Sequence, residues 1–135
     1  MDNLTREQRI KTMRAVRAVD TTPEMKVRRL VFSLGYRYRL HSKALPGRPD
    51  LVFPSRRKVI FVHGCFWHGH SCPAGMNQPK SNTPYWLAKV GRNRNRDAAN
   101  NVRLRRLGWK TLVLWECELS QIDSIRQRVQ RFLER

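Results

Sequence analysis

A chain of 135 residues fits a single domain, residues 1–135, and can bury one hydrophobic core without disulfides. Its 28 basic against 10 acidic residues give a formal charge of +18, an excess that repels itself unless a polyanion lies against it. Nucleic acid is the polyanion such a composition points to, with salt-sensitive binding, and a merely solvated basic surface is the alternative. No run of about 18 uncharged apolar residues occurs and no signal-peptide stretch opens the chain, so neither membrane nor export is indicated and a soluble, cytoplasmic protein is expected.

Thr5-Arg6-Glu7-Gln8 reads as a capping box for a helix that carries Ile10, Met13, Val16 and Val19 among arginines and closes at Asp20-Thr21-Thr22. Residues 1–20 are therefore a basic amphipathic arm. A second helix is predicted with Thr22 as N-cap, Pro23 at the first helical position and Glu24 in the first turn, ending at Gly35. Val27, Leu30, Val31 and Leu34 would pack it on a sheet. Tyr36 to Leu40 alternates apolar and basic residues, the mark of a half-exposed strand, and Leu45-Pro46-Gly47-Arg48-Pro49 is a turn. Asp50–Phe53 and Lys58–His63 read as buried strands of a hairpin joined through Pro54–Arg57. A loop rich in Gly, His, Cys and Pro runs from Gly64 to about Asn82. Thr83-Pro84 then opens a helix that Gly91 should interrupt and that resumes through Arg106 to a stop at Gly108. Trp109–Trp115 is the last strand, and the tail from Ser120 to Arg135 is helical. This order predicts an α/β fold, a mixed sheet covered on its faces by helices.

The placing of the acids says more than their scarcity, because between Glu24 and Glu116 the chain holds only Asp50 and Asp97. A surface built for phosphate excludes carboxylates unless they hold a cation or orient a base. The plainer reading, pairing with neighbouring arginines, fits Asp97, which follows Arg94 and Arg96, as well as it fits any function.

Cys65, His70 and Cys72 fall in one short segment, and the remaining cysteine, Cys117, lies just past the last strand. Thiolate and imidazole are the ligands zinc prefers, and four protein ligands make a closed, structural site; buried free thiols are the alternative. His68 lies two residues from His70 and need not serve the same metal, so it is a candidate general base with Asp97 to orient it, or an ordinary histidine. Phe66 and Trp67 stand in a polar, glycine-rich loop and would either stack on bases or form a small core over the zinc. Trp86, with Tyr85, would either contact bases in the same way or, at helical spacing with Val90, belong to the ordinary core. Asp50 after Pro49 is the best-placed hard oxygen ligand for the divalent ion that phosphodiester hydrolysis requires. Pro-Asp opens the PD-(D/E)xK nuclease signature, but Phe61-Val62-His63 stands where its second acid and lysine would be.

That departure, with Phe61-Val62-His63-Gly64-Cys65-Phe66-Trp67-His68, His70, Cys72, Leu45-Pro46-Gly47-Arg48-Pro49-Asp50, Trp86-Leu87, Lys89-Val90-Gly91-Arg92-Asn93 and Leu114-Trp115-Glu116-Cys117, closely resembles the very-short-patch-repair mismatch endonucleases over nearly the whole chain. The resemblance implies a restriction-endonuclease-like fold with a structural zinc loop and an N-terminal DNA-contacting arm. It implies nicking 5′ to the thymine of a T·G mismatch left by deamination of 5-methylcytosine, by a monomer acting on double-stranded DNA, with mismatch-repair proteins as partners. Carried over, it makes Asp50 and the backbone carbonyl of Val62 magnesium ligands, His68 the base and Asp97 its partner, with Glu24 and His63 beside them. Cys65, His70, Cys72 and Cys117 would hold zinc. Phe66, Trp67 and Trp86 would wedge into the duplex, and Met13 would enter from the other groove. Val62 stands where the family often has Thr, which a carbonyl ligand tolerates. A sequence-specific endonuclease of the same fold and a non-catalytic zinc-stabilised nucleic-acid-binding module are the alternatives.

Overall fold

The computed structural model describes residues 21–65, 68, 70, 72 and 83–135. The expected arm over residues 1–20 and the expected aromatic pair Phe66 and Trp67 lie outside the described residues. Helix α1 spans Thr22–Ser33, and its N-cap is Thr21, one residue earlier than predicted: the Thr21 hydroxyl accepts from the Glu24 N–H at 3.4 Å. The helix stops where expected, with Gly35 at φ +94°, a left-handed conformation that glycine takes without a Cβ clash.

Among the described residues four strands form one mixed sheet in the order β1 (Arg39–Leu40), β2 (Leu51–Phe53), β3 (Lys58–His63), β4 (Lys110–Trp115). β1 pairs with β2 and β2 with β3 antiparallel, whereas β3 and β4 run parallel, Lys58 opposite Lys110 through His63 opposite Trp115. The crossover between the parallel strands includes helix α2 (Thr83–Arg106), and helix α3 (Ile122–Glu134) follows a short 3₁₀ turn at Glu116–Ser120.

Two sequence expectations fail here for local reasons. The strand predicted from Tyr36 pairs only at Arg39 and Leu40, because β2 gives way to Pro54, which has no N–H to offer a neighbour. Tyr38 instead donates to the Arg28 carbonyl at 3.0 Å, and Tyr36 donates to the Glu134 carboxylate. Helix α2 runs through Gly91 without a break. A glycine in a helix costs about 1 kcal/mol against alanine, too little to divide a helix of this length.

Alternation along the strands divides the core between the two faces of the sheet. Leu51, Phe53, Ile60 and Leu114 point to one face and pack with Val27, Leu30 and Val31 of α1 and Ile125, Val129 and Leu133 of α3. Val52, Val59 and Phe61 point to the other and meet Leu104 of α2. The result is three layers, helix, sheet and helix. The turn before β2 is pinned onto the α2 side at Gly47: a Cβ there would sit 3.0 Å from Asn100 Nδ2 and 3.2 Å from Phe61 Cε1, so only glycine lets the turn come so close. Among the described residues no helix is long and apolar enough to cross a membrane.

Lys58, only 4 % exposed at the start of β3, reaches the end of α3. Its Nζ donates to the carbonyls of Phe132 at 2.6 Å, Leu133 at 3.3 Å and Arg135 at 3.0 Å, and Arg56 donates to Leu133 at 2.8 Å. A cation at a helix C-terminus meets both the unsatisfied carbonyls and the negative end of the dipole. Lys58→Met keeps the apolar stem and removes the donors, so its urea midpoint should fall by the equivalent of about 1–3 kcal/mol. An unchanged midpoint would show that the contact carries no stability.

Candidate active site

Among the described residues, three groups of potential ligands gather around the C-terminal end of β3. The first lies at the β2 edge. The Asp50 Oδ2 accepts the backbone N–H of Val62 at 2.7 Å, where the β2 ladder has ended and the side chain replaces a strand partner. In an extended strand a residue's N–H and C=O leave the same edge, so the Val62 carbonyl is also turned toward the Asp50 side. Glu24, 2 % exposed in the first turn of α1, comes beside Asp50 from the face that carries α1. Its Oε2 is 2.7 Å from His41 Nε2 and 3.4 Å from an Arg28 guanidinium nitrogen. Burial first, and then the neighbouring Glu24, raise the Asp50 carboxyl to about 7 against the opposing pull of the Val62 N–H. Two buried carboxylates in contact suit a divalent cation, which restores the charge that burial disfavours.

The second group faces α2. Alternation turns His63 to the side of Val59 and Phe61, where its ring is 5.6 Å from the Phe61 ring. His68 stacks on His63 with ring centroids 3.8 Å apart and planes within 2°. The His68 Nδ1 is 2.5 Å from Asp97 Oδ2, which α2 delivers. Burial first, then the neighbouring His68, lowers the His63 pKa to about 4, with Asp97 opposing, so His63 is neutral at ordinary pH. Its buried Nδ1 has no hydrogen-bond partner among the described residues.

The third group sits where the parallel strands end. Cys65, His70, Cys72 and Cys117 each present a donor atom, all within 4.8 Å of one another. Cys65 is fully buried, accepts the Cys117 N–H at 3.3 Å, and has its thiol pushed up to about 12, chiefly by burial. Three thiols and an imidazole at this spacing fit a soft, closed metal site such as zinc, whose charge deprotonates the thiols. His70 stacks on Trp115 with centroids 4.2 Å apart, and Trp115 meets His63 edge-on at 5.1 Å. One indole thus lies between the Cys/His cluster and the histidine pair.

The sequence model of the family described as DNA mismatch endonuclease Vsr matches residues 1–74. The chain is 44% identical over 111 residues to the DNA mismatch endonuclease Vsr of Escherichia coli, covering 82% of this chain and 70% of that protein. The chain belongs to the Vsr family of DNA mismatch endonucleases. It is a DNA endonuclease. Related proteins include the Type II nicking enzyme V.XorIIP of Xanthomonas oryzae pv. oryzae, 50% identical over 133 residues (98% of this chain, 97% of that one). The Type II nicking enzyme V.NmeAIP of Neisseria meningitidis is 42% identical over 132 residues (98% and 94%). Among solved structures, the Homing Endonuclease I-Bth0305I Catalytic Domain superposes with a TM-score of 0.59 at 22% identity, covering 84% of this chain and 94% of that one. The fold is thus restriction-endonuclease-like, a mixed sheet flanked by helices.

Set against the residues singled out in the sequence, the structure brings Glu24, Asp50 and Val62 together on one side of β3, and His63, His68 and Asp97 on the other. Met13, Phe66 and Trp67 lie outside the described residues. Trp86 is 8 % exposed and packs against Tyr85, whereas Tyr85 is 43 % exposed. His41 was missed, and no motif marks it: it enters the site because β1 pairing continues past Leu40, its N–H donating to the Asp50 carbonyl at 3.3 Å.

Two outcomes follow from these environments. The folded Asp50 pKa is raised, so the native state keeps a proton that the unfolded chain releases. Without added magnesium, Asp50 therefore costs stability increasingly from its ordinary value of 3.8 to about 7 and steadily above. Asp50→Asn should be more stable than the parent by a gap that opens over that window to about 2–4 kcal/mol. Melting curves at pH 4.5 and pH 8 with the same gap would contradict the burial argument. Cys117→Ala should bind zinc at least tenfold more weakly, and retention of a full equivalent against a competing chelator would remove Cys117 from the ligand set.

Proposed function

We propose that this protein nicks one strand of duplex DNA 5′ to the thymine of a T·G mismatch, the lesion left when 5-methylcytosine deaminates, and so initiates very short patch repair. Family membership supports the reaction class. The observation that supports the mechanism is that a buried carboxylate pair and the hydrogen-bonded His68–Asp97 pair both flank the end of β3.

On this reading Asp50 and the Val62 carbonyl hold magnesium, with Glu24 beside them. A magnesium ion bound there supplies positive charge against the electron-rich transition state of phosphodiester hydrolysis. His68 donates its Nδ1–H to Asp97, which leaves Nε2 with a lone pair to take a proton from the attacking water. Asp97 keeps that tautomer and stabilises the imidazolium that results. His63, neutral and stacked on His68, restricts the ring without competing for the proton.

Cys65, His70, Cys72 and Cys117 hold a structural zinc that ties the loop after β3 to the end of β4. DNA contacts come from the basic surface, from the arm over residues 1–20 with Met13, and from Phe66 and Trp67 wedging beside the mismatch. Trp86 is packed in the free protein, so its use as a wedge requires the start of α2 to release it when DNA binds. The protein works as a monomer, and mismatch-repair proteins are its partners by family likeness.

The test compares nicking of T·G and T·A duplexes, over randomised flanks, with magnesium present and then chelated. Cleavage confined to the T·G strand and dependent on magnesium is expected. Asp50→Ala should abolish nicking while keeping one equivalent of zinc, and His68→Ala should slow single-turnover nicking by roughly 10²–10⁴-fold. Equal cutting of T·A, or parental activity in Asp50→Ala, would sink this reading.

A further inference from the structure

His41 is tied to both acidic residues of the first group, to Asp50 through the backbone and to the Glu24 carboxylate through its ring. Its backbone N–H donates to the Asp50 carbonyl at 3.3 Å, and its ring Nε2 lies 2.7 Å from Glu24 Oε2, with the ring 15 % exposed. It holds this position at φ +46°, in the left-handed region that a residue with a Cβ enters only when its surroundings fix it there. His41 directly follows β1 and stands two residues before a turn at Lys43–Ala44. The conformation carries the chain past the end of β1 while the ring remains on Glu24. Glu24 and Asp50 come from separate segments, α1 and the residue just before β2. Two like charges in contact would move apart or share a proton unless fixed donors hold them, and Asp50 has such a donor in Val62.

We propose that His41 is a positioning residue of the catalytic metal site: its ring N–H, donated to Glu24, holds that carboxylate beside Asp50 in the orientation the divalent ion needs. The ring acts as a donor and is not itself a ligand, since a nitrogen ligand would have to turn its lone pair, not its N–H, toward the ion. Carboxylates that bind metals are commonly held by such outer hydrogen bonds, whose loss lowers metal affinity roughly 10–100-fold. This inference rests on the reading of Asp50 as the magnesium ligand given above.

Two substitutions separate donor, ligand and packing roles. Glutamine at 41 keeps an N–H at comparable reach but is a poor nitrogen ligand. Asparagine tolerates the left-handed backbone and remains polar, but is one methylene too short to reach Glu24. Binding of Mn²⁺ to the full, zinc-loaded chain is followed by electron paramagnetic resonance without DNA, and the magnesium dependence of nicking is measured beside it. His41→Asn should weaken Mn²⁺ binding roughly tenfold and raise the magnesium requirement in parallel, with zinc content and melting temperature near parental. His41→Gln should restore binding to within about threefold of the parent. Parental Mn²⁺ affinity in His41→Asn overturns the proposal, and so does a His41→Gln protein as weak as His41→Asn, which would make the imidazole a ligand or a packing element. Asp50→Asn in the same titration tells the two readings apart. If it keeps Mn²⁺, the magnesium assignment itself fails; if it alone loses Mn²⁺, only the role of His41 fails.

Discussion

The parallel pairing of β3 with β4 is the constraint on which the rest depends. It sets His63 opposite Trp115, so that two chain segments separated by the whole of α2 leave the sheet side by side. Cys65 and Cys117, two residues beyond that pair on each strand, then meet closely enough for the Cys117 N–H to reach the Cys65 sulfur. Register is set by which residues are buried: Ile60 and Leu114 belong to one core, Val59 and Phe61 to the other. A slip of one residue would exchange the faces of the strand and scatter both the Cys/His cluster and the histidine pair.

The same period of two assigns the chemistry. His63 faces α2, the helix that brings Asp97 to His68, while the Val62 N–H lies in the plane of the sheet and reaches Asp50. One strand end therefore serves a hard-oxygen group on its edge, an imidazole pair on its face, and a thiol group just beyond its tip. These three groups differ in the cation or proton they suit, and the strand keeps them from merging. Trp115 joins two of them, with His70 stacked on its indole and His63 against its edge, so the loop and the histidine pair are packed as one unit.

Much of this was legible in the residues. Lys58–His63 was read with the bounds the structure shows, because a run of β-branched and aromatic residues between a turn and a glycine has few other fates. The Cys/His set was legible because soft donors carry their chemistry in their identity. The misreadings have different causes. Tyr36 looked like strand but found the Glu134 carboxylate, and Gly91 looked like a break but lies within a long helix whose other residues outweigh it. His41 carried no signal because its role arises from a backbone bond to Asp50 and a ring contact with a helix 17 residues earlier.

By itself the sequence determined the layered α/β order, the basic surface and the identities of the chemical groups, since these follow from composition, periodicity and side-chain type. Only the tertiary structure decided which groups share a centre. A carboxylate at position 50 becomes a candidate metal ligand through burial beside Glu24, and an imidazole at position 68 becomes a candidate base through contact with Asp97. Those are properties of distance and dielectric, and both come into being when the strands pair and the helices close over them.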